Sequence, residues 1–219
     1  MRSAVNKVLL TAFEPFGGES INPSLEAARQ MEKVEFRDAT IRLVELPVDR
    51  YRAVELAVSR IKAEQPDIII MLGEAGGRCR VTPERIAVNV DDFRIPDNVG
   101  NQPKDEPIVE GGPAAYFSTL PIRAIVDRIH KAHIPAGVSN TAGTYLCNRV
   151  FYSVMHTIST EGLTARAGFI HVPYLHDQAI AKSTEVPSLS TESIVEAVRL
   201  AIEVTVQTRS ESGSRALFA

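Results

Sequence analysis

The sequence predicts an α/β fold, a single domain built on an open, mostly parallel twisted sheet covered by helices. Three observations carry this. Short apolar runs alternate with stretches of helical periodicity along the chain, the pattern of strands that cross over through helices. The run Asp67-Ile68-Ile69-Ile70-Met71-Leu72 is too uniformly apolar for a half-exposed strand, so it reads as a central strand buried on both faces. Finally, 219 residues, 44% apolar and 23% charged, suffice for one well-buried core and are short for two.

Taken in order, residues 5–11 read as the first strand, and Asn22-Pro23-Ser24 marks a helix start with Asn as cap and Pro in the first turn. Residues 39–47 form a second strand rich in Ile, Leu and Val. Residues 49–65 are helical, because Val54, Ala57, Val58 and Ile61 recur at three- and four-residue intervals. From 73 to 113 the chain is dense in Gly, Pro, Asn and Asp, and only 85–90 alternates like a strand. A loop-rich stretch of that length points to a site. Residues 121–132 are helical, 137–139 form a brief strand, 145–160 are helical and 167–172 form a strand. The final amphipathic helix, 191–207, carries the stripe Ile194, Val195, Val198, Ala201 and Ile202. We expect the domain to span 1–208 and a loose polar tail to span 209–219, with Leu217 and Phe218 available to dock on a neighbour.

Net charge is −3, so nothing draws the chain to nucleic acid or anionic lipid. No apolar run approaches the roughly 20 residues of a membrane span, and no leader pattern precedes the first strand. The expected location is therefore the cytoplasm, where Cys79 and Cys147 stay reduced. Two cysteines and five histidines in no ligand-spaced cluster argue against a metal site.

Ligands of open α/β sheets bind outside the carboxyl ends of the strands. Four distinctive segments fall there: Phe13-Glu14-Pro15-Phe16-Gly17-Gly18, Gly73-Glu74-Ala75-Gly76-Gly77-Arg78, Asn140 through Cys147, and His171-Val172-Pro173-Tyr174. Cys147 and His171 lie 24 residues apart, enough for a helix leaving that edge and a strand returning to it. Cys147 then sits in the first turn of a helix, whose free N–H groups favour a thiolate and can hold an oxyanion. His171 ends the strand beside it. A buried structural cysteine and a hydrogen-bonding histidine are the bland readings of each alone. Cys79 competes as nucleophile but has no helix start to activate it. His130, His133, His156 and His176 occupy helix or loop positions without such a partner. For the carboxylate that would orient the imidazole, the pattern leaves Glu84 and Asp177 both standing.

The residues also carry a family resemblance. Leu9 to Gly18 with Asn22-Pro23-Ser24, Gly73 to Arg78 with Thr82 to Asn89, Arg94-Ile95-Pro96-Asp97-Asn98, Ser139 to Asn148 and Gly168 to Leu175 together resemble the type I pyroglutamyl (pyrrolidone carboxyl) peptidases, in family order. The resemblance implies a three-layer α/β/α domain, a homotetramer, and Glu84, Cys147 and His171 as the catalytic set. It implies that Phe13 and Phe16 flank a lactam ring, with Arg94, Glu74, Tyr145 and Leu146 also at the substrate. Glu74 stands where many bacterial members have Gln, and Ala12 and Glu14 where Gly and Asp are usual. The implied substrates are N-terminally pyroglutamylated peptides, with no cofactor. A lactam is neutral, so apolar faces and a few amide-type hydrogen bonds suit it better than a charged clamp. Two rival readings are a phosphate cradle at Gly73 to Gly77 in a phosphorylase-like enzyme, and a catalytically silent association module. The cradle lacks the P-loop's Lys-Ser/Thr ending.

Overall fold

The structure, a computed structural model, describes residues 5–212 of the chain. Strand β1 (Asn6–Phe13) leads into α1 (Pro23–Met31), whose start is set by Asn22: its side chain accepts the Ser24 N–H at 3.0 Å. Next come β2 (Ala39–Leu46), α2 (Arg52–Glu64) and β3 (Ile68–Glu74). Helix α2 begins later than periodicity suggests because Asp49 is spent on its entry, its Oδ1 accepting the N–H groups of Tyr51 (2.9 Å) and Arg52 (3.0 Å). The loop-rich stretch holds β4 (Thr82–Pro83) and β5 (Ile86–Val88), and β6 (Ala115–Phe117) pairs with β5 as a separate antiparallel ribbon. The remainder is α3 (Ile122–Lys131), α4 (Leu146–Thr160), β7 (Arg166–Val172), β8 (Tyr174–Leu175), α5 (His176–Ile180), β9 (Ser188–Leu189) and α6 (Thr191–Ser212).

The main sheet runs β2-β1-β3-β7-β4, parallel except for β4, which is antiparallel to β7. Alternation along each strand divides the core into two layers. Leu10, Ile68, Ile70, Leu72 and Ile170 pack against α1, α3 and α6. Leu9, Phe13, Ile69, Met71 and Phe169 pack against α2 and α4. The three-layer α/β/α arrangement follows. Ile68 to Leu72 are all completely buried, and each such side chain contributes about 1.5–3 kcal/mol of burial free energy.

Three expectations need correction. Residues 137–139 form no strand of the sheet; the segment touches the β4 region through isolated parallel bridges, Val81 to Ala136 and Glu84 to Ser139. Gly73 and Glu74 belong to β3 itself rather than to the loop after it. The last helix, expected to end at 207, runs on to Ser212, and within it Arg209 pairs with Asp67 at 2.6 Å; Leu217 and Phe218 lie outside the described residues. Among the described residues, no helix is long and apolar enough to cross a membrane.

Candidate active site

His171 is the penultimate residue of β7. Because Ala167 and Phe169 face the α2–α4 layer, the period of two turns His171 to the same side. Its ring is 3% exposed and packs on Phe169 with centroids 4.7 Å apart. Directly beside it in β3 stands Gly73. A Cβ on Gly73 would lie 2.9 Å from Cys147 Sγ and 2.8 Å from the Phe169 ring, so only a residue without a side chain admits the thiol here. Strand β7 and the first turn of α4 thus bring imidazole and thiol to the same end of β3, on either side of Gly73.

Glu84 reaches the same point from β4. Its N–H donates to the Phe169 carbonyl at 2.8 Å, prolonging the antiparallel pairing of β4 with β7, and the Arg85 N–H donates to Ser139 O at 2.8 Å. The Glu84 side chain is wholly buried, and its Oε1 accepts from His171 Nδ1 at 2.8 Å and from Arg78 Nη1 at 2.5 Å. Arg78 also donates to Thr82 Oγ1 (2.6 Å) and Thr141 O (3.1 Å), tying three loops to the carboxylate. Sequence reasoning missed this role, although a cation six residues from a candidate buried carboxylate was a usable signal. Arg85, the nearer cation, turns instead to Asn140 Oδ1 at 2.8 Å. Asp177 is exposed on α5. Of the two carboxylates left open by pattern, only Glu84 reaches the imidazole.

The electrostatics depart from the expectation of a depressed thiol. Burial pushes Cys147 up to about 12, with the charges of Glu84 and Glu74 acting in the same direction; Arg78 and the backbone at Cys147 only partly oppose them. The helix terminus is outweighed by burial first and by the two carboxylates in the cleft second. Burial likewise pushes His171 down against the upward pull of Glu84. For Glu84, burial alone would raise the carboxyl, but the hydrogen bond and charge of His171, with Ser139 and Arg78, hold it below its usual range. These directions favour a neutral thiol and a neutral imidazole backed by a carboxylate.

Around this centre, Tyr145 stacks edge-on with Phe93 (centroids 4.5 Å) and meets Phe16 at 6.3 Å, while its hydroxyl donates to Pro96 O at 3.2 Å. Phe93 is completely buried behind Tyr145; the sequence reading passed it over, although an aromatic within an otherwise polar loop was the signal. Phe13 and Leu146, 4% and 1% exposed, are mostly core. Phe16 is half-buried, whereas Arg94 is exposed, and its charge acts on Tyr145. Glu74 ends β3, where Gln178 Nε2 donates to its Oε2 at 2.9 Å. Burial, then the charge of Glu19, raises its carboxyl.

The glycines explain themselves as packing. Gly73 makes room for the thiol, and a Cβ on Gly76 would meet the Tyr174 ring at 2.2 Å, so these glycines are occupied by side chains rather than shaped around a phosphate. Among the described residues, no group of three or more His, Cys, Asp or Glu is placed to hold a metal ion. What the arrangement can do is acyl transfer: a thiol, a base of fixed tautomer, and a helix start at Tyr145 whose side chain makes no capping hydrogen bond.

Known proteins match this chain over nearly its whole length. The pyroglutamyl peptidase family model matches residues 6–208. A pyrrolidone-carboxylate peptidase of Vibrio vulnificus is 48% identical over 208 residues, covering 95% of this chain and 96% of that one. One from Thermococcus onnurineus is 50% identical, covering 92% and 99%. The crystal structure of pyroglutamyl peptidase I from Bacillus amyloliquefaciens superposes with a TM-score of 0.89 at 48% identity, covering 92% of this chain and 95% of that one. A match of this extent, over a fold of the same layers, places the chain in the pyroglutamyl peptidase family.

Proposed function

We propose that this chain removes an N-terminal pyroglutamyl residue from peptides through a thiol acyl-enzyme formed on Cys147. The observation that carries the assignment of roles is the 2.8 Å bond from His171 Nδ1 to Glu84. It commits Nδ1 as donor and leaves Nε2 as the basic nitrogen for the thiol. His171 takes the Cys147 proton as sulfur adds to the pyroglutamyl carbonyl carbon. The carbonyl oxygen becomes an oxyanion facing the N–H groups of the first turn of α4. The imidazolium then gives its proton to the leaving amine, the C–N bond breaks and the shortened peptide departs. Water, deprotonated by His171, adds to the thioester, and collapse releases pyroglutamate and restores the thiol. Arg78 holds Glu84 throughout. Phe16 and Tyr145 supply apolar faces for the lactam, Phe13, Phe93 and Leu146 back that wall, and Glu74 and Arg94 border it. Turnover of pyroglutamyl-p-nitroanilide tests the reading, and a chain that is folded but inert on it sinks the reading.

Because the base must be neutral to accept the proton, activity is lost as pH falls through the folded pKa of His171. Burial sets that value below the ordinary 6.5, so kcat/KM should rise with pH to a plateau with its midpoint under 6.5. A midpoint above about 7 would instead mean that ionisation of some other group limits the reaction.

The chain through α6 is read as one catalytic unit that works in the cytoplasm as a homotetramer. Supporting this are two free cysteines and exposed Phe117, Val99 and Tyr51, 65%, 60% and 58% accessible in the lone chain, which an oligomer would cover. Light scattering at micromolar concentration should give about four times the monomer mass of 23.9 kDa; a strict monomer refutes the assembly.

A further inference from the structure

Asn148 follows Cys147 in the first turn of α4 and is completely buried. Its side chain is saturated by one short segment. Oδ1 accepts the Val88 N–H at 2.9 Å, and Nδ2 donates to Val88 O at 2.9 Å and to Val90 O at 3.0 Å. Val88 ends β5, four residues beyond Glu84. One amide therefore couples the turn bearing the thiol to the strand continuing from the carboxylate. The rest of the Glu84 region is fastened to β7 and to Ser139, and β7 meets α4 through the rings of Phe169 and Phe151, centroids 6.1 Å apart and one turn beyond Cys147. The aromatic contacts of Tyr145 likewise fasten α4 to the loop at 93–96, not to Glu84.

We propose that Asn148 is a positioning residue for the reaction, setting the placement of the Cys147 thiol relative to the His171–Glu84 pair. The amide suits this because it both donates and accepts. A carboxylate of the same shape keeps the Val88 N–H but turns an anion onto two carbonyl oxygens. The inference rests on Cys147 and Glu84 acting together as described above.

The test compares Asn148→Asp with Asn89→Asp. Asn89 makes the same kind of clamp, accepting the Val109 N–H (2.9 Å) and donating to Val109 O (2.8 Å) and Gly112 O (3.4 Å), but it joins the ribbon to a loop that meets α4 at Tyr152, beyond the turn carrying Cys147. Both variants should melt earlier than the native chain. At a temperature where all are folded, Asn148→Asp should lower kcat by about tenfold or more with KM changed less than about threefold, since small displacements of a reacting group are costly. Asn89→Asp should leave kcat within about twofold. Iodoacetamide labelling of Cys147 at neutral pH should slow in Asn148→Asp while labelling of Cys79, exposed on another loop, stays unchanged. If Asn148→Asp does not accumulate folded, Asn148→Ser, which retains one donor, is read by the same measurements. Equal loss of kcat in the two variants, or native kcat and labelling in a folded Asn148 variant, overturns the proposal. An inert native chain would instead overturn the peptidase reading on which it rests.

Discussion

Cys147→Ser should fold, bind a pyroglutamyl peptide and turn it over at least ~10³-fold more slowly than the native chain. The sulfur occupies a space created by Gly73 and bordered by Phe169, and a hydroxyl is the smaller group, so nothing is forced apart. Stability should change by no more than about 1 kcal/mol. The chemistry changes far more. Burial and two nearby carboxylates already hold the thiol up to about 12, and a hydroxyl starts higher and meets the same surroundings. His171 cannot then remove the proton at a useful rate. Peptide binding by calorimetry, the melting midpoint and turnover together separate lost chemistry from lost structure. Cys79→Ser serves as control, since Cys79 is exposed and should be dispensable. Retained activity in Cys147→Ser with loss in Cys79→Ser would reverse the assignment.

The layout of this site was legible because two periodicities converge on it. The uniformly apolar 67–72 run announced a strand buried on both faces, and β3 is that strand. The Asn22-Pro23-Ser24 start and the 24-residue spacing of Cys147 and His171 needed only helix and strand geometry. What the sequence did not show was long-range. Arg78 and the nearer Arg85 are both cations close to Glu84 in sequence, and only the folded loops send Arg78 to the carboxylate and Arg85 to Asn140. The choice between Glu84 and Asp177 depended on Glu84 prolonging an antiparallel pairing with β7, and a two-residue strand leaves too short a pattern to read. Strands β6, β8 and β9 escaped for the same reason.

The thiol shows a different limit. A helix N-terminus is visible in sequence and argues for a lower pKa, whereas Glu74 and Glu84 reach the same cleft from β3 and β4 only once the chain is folded. Burial of the thiol, with their opposing field added, decides the sign. A neutral resting thiol is compatible with catalysis because the proton leaves as the S–C bond forms. In the proposed reaction the imidazolium so produced is the species that Glu84, bonded to Nδ1, would stabilise.

Glu84→Gln isolates that last contribution. An amide can present its oxygen to His171 Nδ1 and Arg78 as Oε1 does now, so the fold and substrate affinity should persist, but it cannot balance an imidazolium. We expect kcat to fall on the order of 10²–10⁴-fold with little change in KM. Two pH signatures should accompany the loss. Glu84 pulls His171 upward against burial, and Arg78 pushes it down. Without the carboxylate only the lowering influences remain, so the acid limb of the residual activity should move to lower pH. The bare thiolate responds in the opposite sense to the ion pair. Glu84 disfavours a thiolate standing beside neutral imidazole yet favours a thiolate paired with imidazolium, because the histidine is the nearer of the two. Alkylation of Cys147 should therefore slow near neutral pH, where the ion pair carries the reactivity, and quicken at alkaline pH, where the bare thiolate does. If Glu84 merely paired with Arg78 as a structural contact, neither profile would shift and turnover would stay near native. Asp177→Asn, altering an exposed carboxylate on α5, should leave both profiles unchanged; loss of activity there with a fully active Glu84→Gln would move the orienting role to Asp177.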